Sequence, residues 1–138
     1  RPMSNIDTSM VVTAAQTEAS AQTDLRTAVT TERDRRLNAG VVVAVTGYGN
    51  IAVQGRPTDQ INLIALGDTA RDLQAAGITA AVIPFRDGNN ATHNLTAVQI
   101  AEVVRKGKMS ASGLYAAAWA LKDAATVPAD FADDQHWP

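Results

Sequence analysis

Two histidines, His93 and His136, are the only side chains of this sequence whose ordinary titration falls near neutrality. Any acid–base relay would have to use one of them. His93 stands beside Asn94 in a strand-like stretch, where a structural hydrogen bond is the expected role. His136 follows Asp133-Asp134, a set with chelating atoms inside what reads as a solvated acidic tail. Cysteine is absent, which excludes thiol nucleophiles, thiolate metal sites and disulfides. No serine occupies a Gly-x-Ser-x-Gly elbow. The turn Asp87-Gly88-Asn89 supplies oxygens but not the ligand spacing or closing glutamate of a calcium loop. Gly47-Tyr48-Gly49 follows a strand, as a phosphate loop does, yet the third glycine and the directly following helix are missing. Nothing in the residue order sets two carboxylates across a cleft for glycoside chemistry. Tyr48, Trp119 and Trp137 could stack on a sugar, although aromatics on a helix or near a terminus belong more often to a core. The residues therefore point to no cofactor, no metal and no catalytic set.

Composition narrows the class further. The 138 residues fit one domain with room for a protruding element. Apolar residues make up 46% but aromatics only 4%, so the core must be built from small side chains. The net charge of −2 gives no basic excess of the kind nucleic-acid binding needs. No apolar run approaches the roughly 20 residues of a membrane helix, and the N-terminal residues lack the apolar stretch of a signal peptide.

The elements that must position these residues are organised around Thr96–Ala125. Ala97, Val104, Ala111, Ala118 and Ala125 recur every seventh residue. Ile100, Gly107, Leu114 and Leu121 form a second such series, offset by three. The two together draw a narrow seam of small residues down one side of a long helix. Thr96 with Gln99 is a capping box at its start, and Thr126 and Pro128 end it. Two readings are open. The helix packs on its own domain, or the seam joins sister copies. The second reading makes Ala97, Val104, Ala111, Leu114, Ala118 and Leu121 an assembly interface, with Arg33, Arg35 and Arg36 as charge partners.

The rest of the chain reads as α+β. Residues 1–12 form an extended arm. Thr13 with Gln16 caps a long N-terminal helix over residues 13–39, thinly apolar and rich in threonine, stopped by Gly40. Val41–Val45 and Ile51–Val53 make a β-hairpin around Gly47–Asn50. A middle helix starts at Pro57, with Ile61, Ile64, Ala65 and Leu73 on one side, and stops at Gly77. A second hairpin follows, its first strand over Ile78–Phe85 and its turn at Asp87-Gly88. Pro84 puts that strand at an edge. The long C-terminal helix closes a single domain over residues 13–128, and residues 129–138 form a tail. The small antiparallel sheet packs on the helices.

Three of these segments carry a resemblance. Glu32-Arg33-Asp34-Arg35-Arg36-Leu37-x-x-Gly40 precedes a hairpin. Phe85-Arg86-Asp87-Gly88-Asn89-Asn90 leads to Leu95-Thr96-Ala97. Leu114-Tyr115 leads to Trp119-Ala120-Leu121-Lys122-Asp123-Ala124. In this order they resemble an uncharacterised domain family of bacteriophage and prophage tail proteins, associated with tail fibres. The likeness runs from about Leu25 to the C-terminus; the return strand Gly49-Asn50-Ile51-Ala52 departs from it by lacking an aromatic. The resemblance implies a non-enzymatic, structural or host-adhesion component of a phage tail, a fibre or tail-tip subunit made in the bacterial cytoplasm and carried in the virion. It implies other tail proteins as partners, a homotrimer as the assembly, and Tyr48 and Trp137 as contacts for a bacterial surface receptor. A tail-fibre assembly chaperone is the alternative, and a small glycan-binding or glycan-degrading enzyme a more remote one.

Overall fold

A computed structural model describes residues 13–138; the expected arm over residues 1–12 lies outside them. The elements follow in the order α1 (Ala14–Ala39), β1 (Val41–Val45), β2 (Gly49–Val53), α2 (Pro57–Ala75), β3 (Ile83–Arg86), β4 (Thr92–Leu95) and α3 (Ala97–Asp123). The fold is α+β, as the sequence indicates. Both capping boxes form. The Thr13 hydroxyl accepts the Gln16 N–H at 3.1 Å and the Gln16 side chain accepts the Thr13 N–H at 2.8 Å. Thr96 and Gln99 repeat the exchange at 3.1 and 3.0 Å. Each pair satisfies two amides that a helix start leaves open.

The strands make two separate antiparallel pairs, β1 with β2 and β3 with β4. Alternation decides what each buries. Val43, Val45, Ile51 and Val53 point inward, whereas Val42 is exposed. In the second pair Ile83 lies opposite Leu95 and Phe85 opposite His93, with Ile83, Phe85 and Leu95 buried. This pair begins at Ile83 and not at Ile78. The Ile78 N–H bonds back to the Leu73 carbonyl, so the residues after Gly77 complete the exit of α2, and Ile78 and Val82 are exposed.

One end of β1 is blunted by α3. The Glu102 carboxylate accepts the Thr46 N–H at 3.0 Å, and Lys106 Nζ donates to the Ala44 carbonyl at 2.6 Å. The two side chains also pair with each other at 2.8 Å. Charges on an edge strand discourage pairing with another chain. The Glu102 carboxyl is held at about 2 against its ordinary 4.5, first by the Lys106 bond and then by the Thr46 N–H. Glu32 falls equally far, first through its bond to Arg35 and then through Arg36. Both are depressed in the folded state. Their stabilisation is complete above the unfolded value near 4.5 and is lost as pH falls through about 2. Thermal midpoints measured down that window should drop, and Glu102→Gln should flatten the drop while lowering the neutral-pH midpoint.

Burial divides the core in two. The first part joins both hairpins and α2 to the N-terminal half of α3, around Ile51, Leu95, Ile100 and Val103. The second joins α1, the C-terminal half of α3 and the end of the chain, around Val29, Leu121, Val127 and Trp137. α3 is the common spine: α2 covers one half of it and α1 the other. Gly107 lies where α3 crosses α2; a Cβ there would already sit 3.4 Å from both Leu63 and Val53.

This arrangement corrects the assembly reading of the seam. Ala97, Val104, Leu114, Ala118 and Leu121 are buried by their own chain, and Ala111 is half-buried. The small residues let α1 and α2 approach α3, and sister copies are not needed to cover them. The arginines are engaged within the protomer as well. Arg35 and Arg36 both bond Glu32, and Arg33 pairs with Asp34 and lies 4.7 Å over the Tyr115 ring. Arg36 also holds the Asp134 carboxylate and the Ala132 carbonyl. The middle helix differs too: Ile61, Ile64 and Ala65 are exposed, Leu73 is half-buried against the core, and Leu63 and Ala70 face inward.

Candidate functional site

Two places bring chemistry-bearing side chains together. The first joins the hairpin tips. Asp87 Oδ1 accepts the Asn89 and Ala91 N–H groups at 2.9 and 2.8 Å, and Oδ2 lies 2.7 Å from His93 Nε2. His93 Nδ1 lies 2.7 Å from the Tyr48 hydroxyl. The His93 bond, and then the two backbone donors, hold the Asp87 carboxyl below its ordinary value. With a neutral imidazole, an ionised Asp87 takes the Nε2–H and Nδ1 accepts from the Tyr48 phenol. Carboxylate, imidazole and hydroxyl stand in the order that activates a nucleophile. Here the hydroxyl is a phenol on an exposed hairpin turn, and its bond ties that turn to the other hairpin. The Gly88 N–H to the Ala52 carbonyl, 2.8 Å, fastens the same junction through backbone. The arrangement is a clasp between hairpins, which matches the structural role expected of His93. Tyr48→Phe should cost of order 1 kcal/mol in urea unfolding by removing one hydrogen bond.

The second place is a groove of about 440 Å³ at the junction of the two core parts. It lies between the end of α1, the first hairpin, the start of α2 and the middle of α3. Leu37, Val53, Leu63, Gly107 and Leu114 line the floor, Ile64 stands on the α2 side, and Tyr115 and Trp119 on the α3 side. Ile64 is 52% exposed and Trp119 58%, the latter unusual for so large an apolar surface. Tyr115 and Trp119 rings lie 6.1 Å apart, one helical turn from each other, with Arg33 4.7 Å over the Tyr115 ring. This stack holds Tyr115 beside Trp119 at the mouth of the groove.

Residues 20–135 match the family described as "Domain of unknown function (DUF4376)". The chain belongs to DUF4376. The match covers most of the described fold, from α1 to the C-terminal segment, and the family description assigns no activity. Neither a curated protein nor a solved structure is detectably similar to the chain.

Several expected site residues lie elsewhere in this DUF4376 fold. Trp137 is not available as a receptor contact. It is 7% exposed, its indole N–H donates to the Phe131 carbonyl at 2.7 Å, and Arg36 lies 5.2 Å over its ring. His136 bonds Asp130 at 2.9 Å, and Arg36 with the second core part holds the acidic end of the chain onto α1 and α3. Tyr48 is 45% exposed, although its hydroxyl is occupied by His93. No group of three or more potential metal ligands occurs among the described residues, and none of their helices is long and apolar enough to cross a membrane. Sequence reasoning missed the groove. The available signal was Trp119 beside the seam residue Ala118, with Ile64 beside the buried Leu63: large apolar residues just off the core-facing stripe.

Proposed function

We propose that this DUF4376 domain is a non-enzymatic structural or host-adhesion component of a bacteriophage tail, a fibre or tail-tip subunit that works through protein contact. The observation that supports it is the groove, an apolar trough with Trp119 at its mouth and no carboxylate among the described residues that line it. Acid–base or glycosidic chemistry needs positioned titratable groups, whereas exposed aromatic and aliphatic side chains around a concavity suit a protein interface. The tail setting rests on the three-segment resemblance. In this reading the partners are other tail proteins, and Tyr48 remains the exposed aromatic for a bacterial surface receptor. The seam is used inside the protomer, so the reading no longer relies on a homotrimer joined along α3. Mass spectrometry of purified particles from a phage or prophage encoding the chain is the test. The domain should appear with the tail proteins.

The groove also suits a second reading, a tail-fibre assembly chaperone that holds a segment of the fibre and then leaves. In that case the protein would be abundant in the infected cell and missing from the same particles.

A further inference from the structure

A second groove continues along the α2–α3 line. It has a volume of about 350 Å³ and is lined by Gly67 and Arg71 of α2 and by Val104, Arg105, Lys108 and Met109 of α3. Lys108 lines both this groove and the larger one. The two form one track, with Trp119 and Ile64 along the first part and Met109, 65% exposed, along the second. The charge of the track is one-sided. Among the described residues Arg36, Arg71, Arg105 and Lys108 line it and no aspartate or glutamate does, in a chain whose net charge is −2. Arg36 is engaged by Glu32 and Asp134, and Arg71 by Asp68. Arg105 and Lys108 are exposed.

We propose that this track is the docking site for a segment of another protein that carries large apolar side chains flanked by aspartate or glutamate. The inference rests on the reading of the domain as a contact module and names its partner's chemistry. Charge complementarity selects the occupant. Two copies of the chain meeting face to face on this surface would set Arg105 and Lys108 against their own counterparts, which like-charge repulsion disfavours. An acidic segment would neutralise them while its apolar residues enter the floor between Leu63 and Leu114. The chain already uses this recognition on itself. Its own acidic, aromatic end, Phe131 to Trp137, is held on α1 by Arg36 through Asp134, the Ala132 carbonyl and the Trp137 ring. The track offers the same combination of cation and apolar surface, open to solvent.

The test uses the full chain and two short synthetic peptides with the same leucine and phenylalanine residues, one flanked by glutamates and the other by lysines. The readout is Trp119 emission, with Trp119→Phe identifying the signal against buried Trp137. The acidic peptide should bind saturably, shift the emission, and weaken as salt rises. The lysine peptide should bind at least about tenfold more weakly, two rim ion pairs being worth roughly that factor. The double variant Arg105→Glu, Lys108→Glu alters exposed positions, so its circular dichroism should be unchanged and its peptide preference reversed. Equal affinity for both peptides, no saturable binding at millimolar peptide, or an unchanged preference in the folded double variant would each overturn the proposal. So would sedimentation showing the unmodified chain self-associating through this track, with the dimer lost in the double variant. The virion test fails independently: a domain present in particles yet indifferent to peptide charge would sink the docking inference alone.

Discussion

Trp137→Ala should lower the unfolding free energy by about 3–5 kcal/mol, the usual cost of removing a buried large aromatic. That is a large fraction of the roughly 5–15 kcal/mol that holds a domain together. Position near the chain end would ordinarily argue for a small effect. The contacts argue otherwise. Trp137 closes the second core part with Val29, Leu114, Ala118, Leu121 and Val127, and its N–H and its π-face are both partnered. Its loss also frees the segment that Arg36 holds, so Glu32 and Arg36 lose part of their network. Urea unfolding followed by circular dichroism measures the effect. Trp119→Ala serves as the internal comparison and should fall within about 0.5 kcal/mol of the parent, as exposed substitutions do. Equal costs for the two tryptophans would mean that the C-terminal segment is not docked as described.

Gly40→Ala should be as damaging, by a different route. Gly40 ends α1 and starts β1 with φ near 75°, a conformation that costs an L-residue about 1–3 kcal/mol. Space is also lacking: a Cβ would stand 2.3 Å from the Val53 carbonyl oxygen. The backbone of β2 must therefore move, and with it Val53, which sits in the first core part and on the groove floor. The combined cost should exceed about 3 kcal/mol, because strain and a displaced strand add. Gly47→Ala separates the two contributions. Its φ is 72° but its Cβ would meet nothing within 4 Å, so only the conformational penalty of about 1–2 kcal/mol remains. Thermal melts of the two variants should rank Gly40→Ala well below Gly47→Ala.

Local signals in the sequence were reliable where one short-range cause decides the structure. Thr13 with Gln16 and Thr96 with Gln99 cap helices because both bonds are made within a single turn. The β-branched composition of Val41–Val45 and the turn at Asp87-Gly88 were equally direct. The seven-residue series on α3 marked the buried face from Ala97 to Leu121, while Ala125 is exposed because the helix already ends at Asp123. What covers that face could not be read, because α1 and α2 lie far away in sequence and a stripe of small residues suits a neighbour helix of the same chain as well as a sister copy. The inner side of the middle helix is only partly legible for a related reason: Leu73 does pack on the core. Ile61 and Ile64 look like core by type, but the crossing at Gly107 turns Leu63 and Ala70 inward and leaves both isoleucines outside. The groove arises from that same crossing, where α2 ends its cover of α3 and α1 begins, and no local pattern announces it. The charged run Glu32–Arg36 promised ion pairs; only the fold could show that its partners are Glu32 itself, Asp34 and the returning C-terminus.

α3 is enclosed by its own polypeptide, so the surface proposed for other proteins is the groove and not the seam. Thermal unfolding of the full chain across about a hundredfold range of concentration tests this directly, because a core completed by partner subunits gains stability by mass action. The midpoint should stay constant across the range. A midpoint that falls steadily on dilution would contradict it and return the α3 seam to an interface between copies.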